Sequence, residues 1–506
     1  MRRLAFVVTG SLAVVCGVAA GCNTAGIRGD AGVGTGLGGG TGTDGGPGGS
    51  MTMAGTGGTI ISVPKPTEPC ENLVCRESTC TKGACTVPAC PGGARTTVSG
   101  TIKDPAGKNP LYNITVYVPN KALDPLVDGP SCDPCDRFTG TSNLSGEPVT
   151  ITKTDTAGRF MLGAKGNAIG GDVPAGDNVP LVIQVGKWRR QVMIPHVQAC
   201  TNTELTDANM LRLPRSQAEG HIPKMALTTG QRDAMECLLR KVGIDDSEFT
   251  PEAGTGRINF YAGGGGTAGY APTMNMGAAF TPVNPWWDSF DNLKKYDILL
   301  HSCEGNYGSY AGVGDMPQSV KSAQAVTALH DYANMGGRVF ASHWHAYWFE
   351  NGPPDFQSIA TFLHRGMLPN PYLATIDQNF TTGQAMAMWM VTVMGSPMPG
   401  FVSIAQDANP LILAAAAGGN TSQRWIYAAD RDPQSVQYLS ATTPVPGGKC
   451  GRVVLSDLHV SSGGANSDIP SMPFPTGCVT TDLSPQEKVL EFMLFDIASC
   501  VTPLIP

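Results

Sequence analysis

The sequence predicts a multidomain protein: a disordered glycine-rich linker, then a β-rich domain, then an α/β domain on a mostly parallel, doubly wound sheet. Three observations predict this. Between Asn23 and about Ile60, runs such as "GVGTGLGGGTGTDGGPGGS" offer few large apolar side chains, so nothing offsets the entropy of ordering them. Further on, "TVSGTIKDPAGKNPLYNITVYVPN" alternates apolar and polar residues around a Pro/Gly turn at Asp104 to Gly107, the pattern of paired strands. From about Ile222, short apolar strands alternate with amphipathic helices, as in a parallel sheet covered on both faces. At 506 residues and 41% hydrophobic content, the chain can bury two or three real cores.

The formal charge of −7, with 15% charged residues, supplies no basic face for phosphates, so nucleic acid is not an expected partner. The N-terminus "MRRLAFVVTGSLAVVCGVAAGC" has Arg2 and Arg3, an apolar run and small residues ending at Cys22. This reads as a secretory signal over residues 1–21. The "AAGC" ending resembles the bacterial lipobox, although Ala19 stands where Leu is commoner. That resemblance implies lipidation of Cys22, the membrane as partner through the lipid and, with Asn23 following, an outer-membrane or cell-surface location. A plain signal peptide cut nearby is the alternative. Residues 22–66 then form the tether.

Export also accounts for the cysteines. Of fifteen, Cys16 leaves with the signal and Cys22 carries lipid, so thirteen remain in a compartment where disulfides persist. In residues 67–94, Cys70, Cys75, Cys80, Cys85 and Cys90 recur every five residues, wider than zinc-site spacing, and are read as disulfide staples. Cys132 and Cys135 in "SCDPCD" are read as structural bridges rather than a redox pair. Cys303 is either paired with Cys237 or reactive.

Across 95–215, "TKTDTAGRFML" adds a turn and strand near Gly158, and "VPLVIQVGKWRRQVMIP" a hairpin turning at Gly186 and Lys187. Ser99 to Val118 and Thr154 to Phe160 resemble the opening strands and the T-D-x-x-G-x-F turn of the carboxypeptidase regulatory-like domain. That resemblance implies a small prealbumin-like (transthyretin-like) β-sandwich, usually a noncatalytic accessory module.

Within 222–500, strands are expected at "KMALTTG", "RINFYAG", Tyr296 to Leu300, Arg338 to Ser342, "RWIYAAD", "VQYLSAT" and "GRVVLSDLHV". A helix with Pro317 in its first turn stops at Gly336, and Ser484, Pro485 and Glu487 form a capping box. "TTGQAMAMWMVTVMG" is apolar all round and reads as a buried helix. "YAGGGGTAGYAP" lacks a phosphate-binding ending and reads as a rim or lid.

Of eight histidines, four then fall at strand ends: His301, His343, His345 and His459, with Glu304, Asp457 and Cys303 beside them. If these strands are neighbours, their carboxyl ends converge on one crevice. His196, His221, His330 and His364 show no such pattern and are read as structural.

"YDILLHSCEG", the helix ending in "GGRVFASH" and the late "GRVV…H" resemble the class I glutamine amidotransferase-like fold, especially its trehalose-utilisation-type branch. His459 matches that fold's late histidine. At the expected nucleophile turn, however, the chain reads Ala341, Ser342, His343, Trp344, His345, with no cysteine and no G-x-S-x-G.

Three readings stay open. His343 and His345, with His301 or His459 and a carboxylate, suit zinc. His343, His345, His301 and Trp344 suit a metal-free pocket for a glycan or other small polar ligand. Alternatively, the histidines are simply satisfied within the structure. The first expectation is a noncatalytic binding protein. The other is a metal- or histidine-dependent hydrolase, with His459 as base oriented by Glu304 or Asp457.

Overall fold

The glycine at the Gly186 turn places one hairpin of the β-rich region directly on the rest of the chain. In the computed structural model, Gly176–Val185 and Trp188–Val197 pair antiparallel about that turn, and Gly186 has φ of 52°. A Cβ there would lie 1.8 Å from the Ala498 carbonyl oxygen, so only glycine admits the approach. The structure describes residues 71–502 apart from 82–83, 136–143, 165–168, 306–320, 363–367, 370, 406–411, 416–420, 431–433 and 461–467. The leader, Cys22, the linker, Cys70, Pro317 and His364 lie outside the described residues.

The β-rich region forms a five-stranded sheet, in the order Ile169–Gly170, Pro148–Lys153, Thr115–Pro119, Gly176–Val185, Trp188–Val197, and a three-stranded one, Asn202–Glu204, Thr97–Thr101, Arg159–Leu162. The turn before Arg159 is made by Asp155, whose Oδ1 accepts from the N–H groups of Ala157 and Arg159. Val98, Phe160 and Leu162 share one buried cluster with Val116, Leu181 and Ile183. That cluster continues into the rest of the chain, where Trp188 meets Phe495 edge-on at 5.7 Å and Tyr112 stacks on Phe492 at 6.0 Å.

Among the described residues the principal sheet has twelve strands. Thr281–Pro282, Ile258–Ala262, Met225–Thr228, Ile298–His301, Arg338–Ser342 and Gly451–Ser456 lie side by side in that order, all parallel. Numbering the five longer ones by chain position, their order in space is 2-1-3-4-5. It reverses between Met225–Thr228 and Ile298–His301. Beyond Gly451–Ser456 the expectation of a mostly parallel sheet fails. Ser435–Thr443, Gln423–Ala428, Tyr372–Ile376 and Phe401–Ile404 add antiparallel. The reason is connection length: Ser435–Thr443 reaches Gly451–Ser456 through a short link, which permits only a hairpin.

The helices lie at Met235–Val242, Ala323–Asn334, Thr381–Thr392 and Pro485–Ala498, with shorter pieces between. Ser484 and Glu487 form the expected capping box. The helix before the Arg338–Ser342 strand is capped by Ser322, whose side chain accepts from Ala325 N–H, so it starts later than the sequence suggests. Thr381–Thr392 buries Met386, Trp389 and Met390, whereas Met388 is 50% exposed. It covers the core with one face rather than being enclosed.

Five disulfides join described cysteines: Cys80–Cys85, Cys90–Cys200, Cys132–Cys450, Cys135–Cys500 and Cys237–Cys478. Multiple disulfides are consistent with an oxidising environment. Cys132 and Cys135 are thus bolts to the C-terminal part, and Cys237 pairs with Cys478 rather than Cys303. Among the described residues, no helix is long and apolar enough to cross a membrane.

Candidate functional site

Parallel register delivers four loops to one edge of the principal sheet. Thr228 lies opposite His301, His301 opposite Ala341, and Ser342 opposite Ser456. The residues that follow each strand, Thr229 to Asp233, Ser302 to Glu304, His343 onward and Asp457 to His459, therefore emerge together. The edge coincides with the reversal of strand order, where open parallel sheets leave a crevice. Close approach is built in, since a Cβ at Gly230 would fall 2.3 Å from the Cys303 carbonyl oxygen.

His343 begins a short 3-10 turn after Ser342, with φ of 44°. A non-glycine residue in this left-handed region costs about 1 kcal/mol or more. The turn occupies the place where a nucleophile was sought, and the residue held there is a histidine.

Asp233 organises the first cluster. Its Oδ2 accepts from Cys303 N–H at 3.2 Å, from the Ser342 hydroxyl and from His459 Nδ1 at 3.2 Å, and its Oδ1 accepts from Val460 N–H at 2.9 Å. Burial pushes the Asp233 carboxyl up. The His459 imidazole and the hydrogen bonds from His459, Ser342 and Val460 outweigh burial and hold it below its ordinary value. Cys303 Sγ lies 3.4 Å from His343 Nδ1, and the His343 and His459 rings meet at 4.8 Å and 87°. Burial pushes the Cys303 thiol well up, and the Asp233 carboxylate adds to the rise. Asp233, Cys303, His343 and His459 are all buried. Trp344 is half-buried, with its ring 4.8 Å from that of His343.

His301 and His345 form a second group. His345 Nε2 donates to the Ser302 carbonyl at 3.0 Å, and its Nδ1 accepts from Trp348 Nε1 at 2.9 Å. A carbonyl only accepts and an indole N–H only donates, so this ring is a neutral tautomer with both nitrogens occupied. His301 stacks on it at 5.1 Å, and Thr228 Oγ1 lies 3.1 Å from His301 Nδ1. Lys321 lies 5.3 Å from the Trp287 ring and 5.6 Å from that of Trp348, and its Nζ pairs with Glu304 Oε2 at 2.9 Å. Burial, then His345 and Lys321, push His301 well below its ordinary value, and burial and Lys321 do the same to His345.

Several expectations are therefore corrected. The structure sets His343 and His459 with Cys303, and His301 and His345 in a separate aromatic nest. With both nitrogens taken, His345 has no lone pair for a metal. Glu304 does not orient His459, because its oxygens go to Lys321 and to Gly264 N–H at 2.8 Å. Asp457 is buried, with its N–H on the Gln437 carbonyl, and the carboxylate on His459 is that of Asp233. Sequence reasoning missed Asp233, although it follows the first strand by the same rule that found the histidines. The Gly263 rim is fastened down, with Thr229 Oγ1 donating to the Thr267 carbonyl at 2.8 Å.

The molecule thus belongs to the proteins that combine a mixed sheet with a buried polar cluster at the carboxyl ends of its parallel strands. No protein-family model matches the chain, and no curated protein does. A solved structure described as a putative ThuA-like protein from Bacteroides uniformis matches 47% of this chain and 82% of its own, at 10% identity and a TM-score of 0.27.

Proposed function

We propose that this chain is an exported protein, lipid-anchored through Cys22 at the cell surface, that hydrolyses a polar extracellular substrate at the Asp233–His459 pair. In this reading residues 95–215 are a carboxypeptidase regulatory-like β-sandwich serving as an accessory module. Residues 222–500 are an amidotransferase-like α/β domain of the trehalose-utilisation type that has histidine where the nucleophile would stand. The 2-1-3-4-5 strand order, with the cluster at its reversal, supports the assignment of the second domain.

One observation carries the catalytic reading: Asp233, buried and held ionised, grips His459 Nδ1. A carboxylate on Nδ1 fixes the proton there and directs the lone pair of Nε2 outward, as a general base requires. His459 then takes a proton from water as the water attacks and returns it to the leaving group as the substrate bond breaks, while Asp233 stabilises the intervening imidazolium. The Cys303 thiol, kept protonated by burial, takes no nucleophilic part.

The test is turnover by the full chain on panels of chromogenic esters, amides and glycosides. His459→Ala and Asp233→Asn should each lower kcat by roughly 10²–10⁴-fold while the fold, followed by circular dichroism, persists. Turnover unchanged in both variants would sink the reading. A second reading, noncatalytic binding of a glycan, is favoured by half-buried Trp344 beside His343. It predicts no turnover on any panel and a glycan affinity lost in Trp344→Ala.

A further inference from the structure

Cys303, His343 and His459 each offer one ligand atom, and these atoms lie within 4.8 Å of one another. They come from the ends of three strands that are consecutive neighbours in the sheet, so backbone register, not side-chain chance, sets their spacing. We propose that these three residues bind a zinc-class transition-metal ion, with a water or substrate atom as fourth ligand. The proposal rests on reading this cluster as the functional site, but not on its hydrolysing anything; in the metal-loaded chain Cys303 has given up its proton to bind the ion, and His459 is a ligand rather than a free base.

The donor set selects the ion. One thiolate and two imidazoles suit zinc and its neighbours and do not suit calcium or magnesium, which take oxygen. Three protein ligands with an open position is the arrangement of catalytic rather than structural zinc. Tetrahedral bonds of about 2.0–2.3 Å put ligand atoms roughly 3.5 Å apart, and Cys303 Sγ to His343 Nδ1 is 3.4 Å. The other pairs lie within 4.8 Å, and binding an ion would draw them towards that spacing.

Asp233 supplies what such a site requires around its ligands. A metal-bound imidazole usually gives its other ring N–H to a carboxylate, which fixes the tautomer, and Asp233 Oδ2 stands 3.2 Å from His459 Nδ1. Charge also closes: a divalent ion, the Cys303 thiolate and the Asp233 carboxylate sum to zero, which a buried site demands. Cys303 is the free cysteine among the described residues, in a chain with five disulfides between other cysteines. Coordination gives its sulfur a role that bridging does not. The second group is unsuited, since both nitrogens of His345 are engaged and Lys321 sits beside it.

The experiment is titration of the chelator-stripped full chain with Co²⁺, followed by displacement with Zn²⁺. One equivalent should bind, with the near-ultraviolet thiolate-to-cobalt band and the intense visible bands of a tetrahedral ion. Cys303→Ser should remove the near-ultraviolet band, and His343→Ala and His459→Ala should each weaken binding at least 100-fold. His196→Ala, a surface residue paired with Asp177, should change nothing. Absence of binding by the folded wild-type chain, or a cobalt spectrum with no thiolate band, overturns the proposal without recourse to any variant. Turnover that persists in a chain shown to bind no metal would leave the Asp233–His459 reading standing and remove this one alone.

Discussion

Two pairs of histidines sit at the same sheet edge, yet the chain has built them for different ends. His343 and His459 face a thiol and an ionised carboxylate. His301 and His345 stack on each other beside Trp287 and Trp348, and burial first, then Lys321, keeps them neutral. Position at a strand terminus is common to both and so decides nothing. The difference is what occupies the ring nitrogens: His345 spends both inside the protein, whereas His459 has Nδ1 fixed by Asp233. What a histidine can do is set by the partners of its ring nitrogens.

This contrast can be broken in the nest first, where the largest stability effects are expected. Lys321 and Glu304 form an ion pair with side chains 0% and 1% exposed. Lys321→Met should cost about 3–5 kcal/mol by leaving the Glu304 charge buried and unpaired, measured by urea unfolding. A loss below about 1 kcal/mol would show that the pair does not hold the nest. His345→Leu comes next, at roughly 2–3 kcal/mol, because it strands the Ser302 carbonyl and the Trp348 N–H. In the same titration, cobalt affinity should stay within a few-fold, and a loss as great as that of His459→Ala would merge the two groups into one.

A pH-dependent effect concerns two carboxyls three residues apart. Asp233 is held ionised, whereas burial, then the charges of Asp468 and Asp233, raises neighbouring Glu236 to about 8. The unfolded carboxyl loses its proton near 4.3, so between about pH 4.5 and 8 the unfolded chain ionises while the folded chain keeps its proton. Stability should therefore fall as pH rises through that window and level off above it. Glu236→Gln should flatten the profile, read from melting temperature against pH. A wild-type profile already flat from pH 5 to 8 would contradict the raised value.

Local signals carried much of the fold. The Arg338–Ser342 strand, the Gly186 hairpin and the Ser484 capping box each rest on a few adjacent residues, and each stands where those residues put it. The antiparallel half of the large sheet was not legible, because pairing across residues 360–443 depends on connections rather than periodicity. The site divides in the same way. The strand-end histidines could be found one strand at a time. That Asp233 meets His459 across 226 residues, or that Cys478 claims Cys237 and so leaves Cys303 a thiol, follows only from which strands become neighbours.

The bridges from Cys132 and Cys135 span 318 and 365 residues, to Cys450 and Cys500. Neither can close until almost all of the chain has been synthesised. Throughout that interval two early thiols wait among others that mature sooner, and wrong pairings are there to be made. Yield in a foreign host should therefore depend on a disulfide isomerase, and premature termination anywhere before residue 450 should leave both thiols open to capture by alkylating reagents.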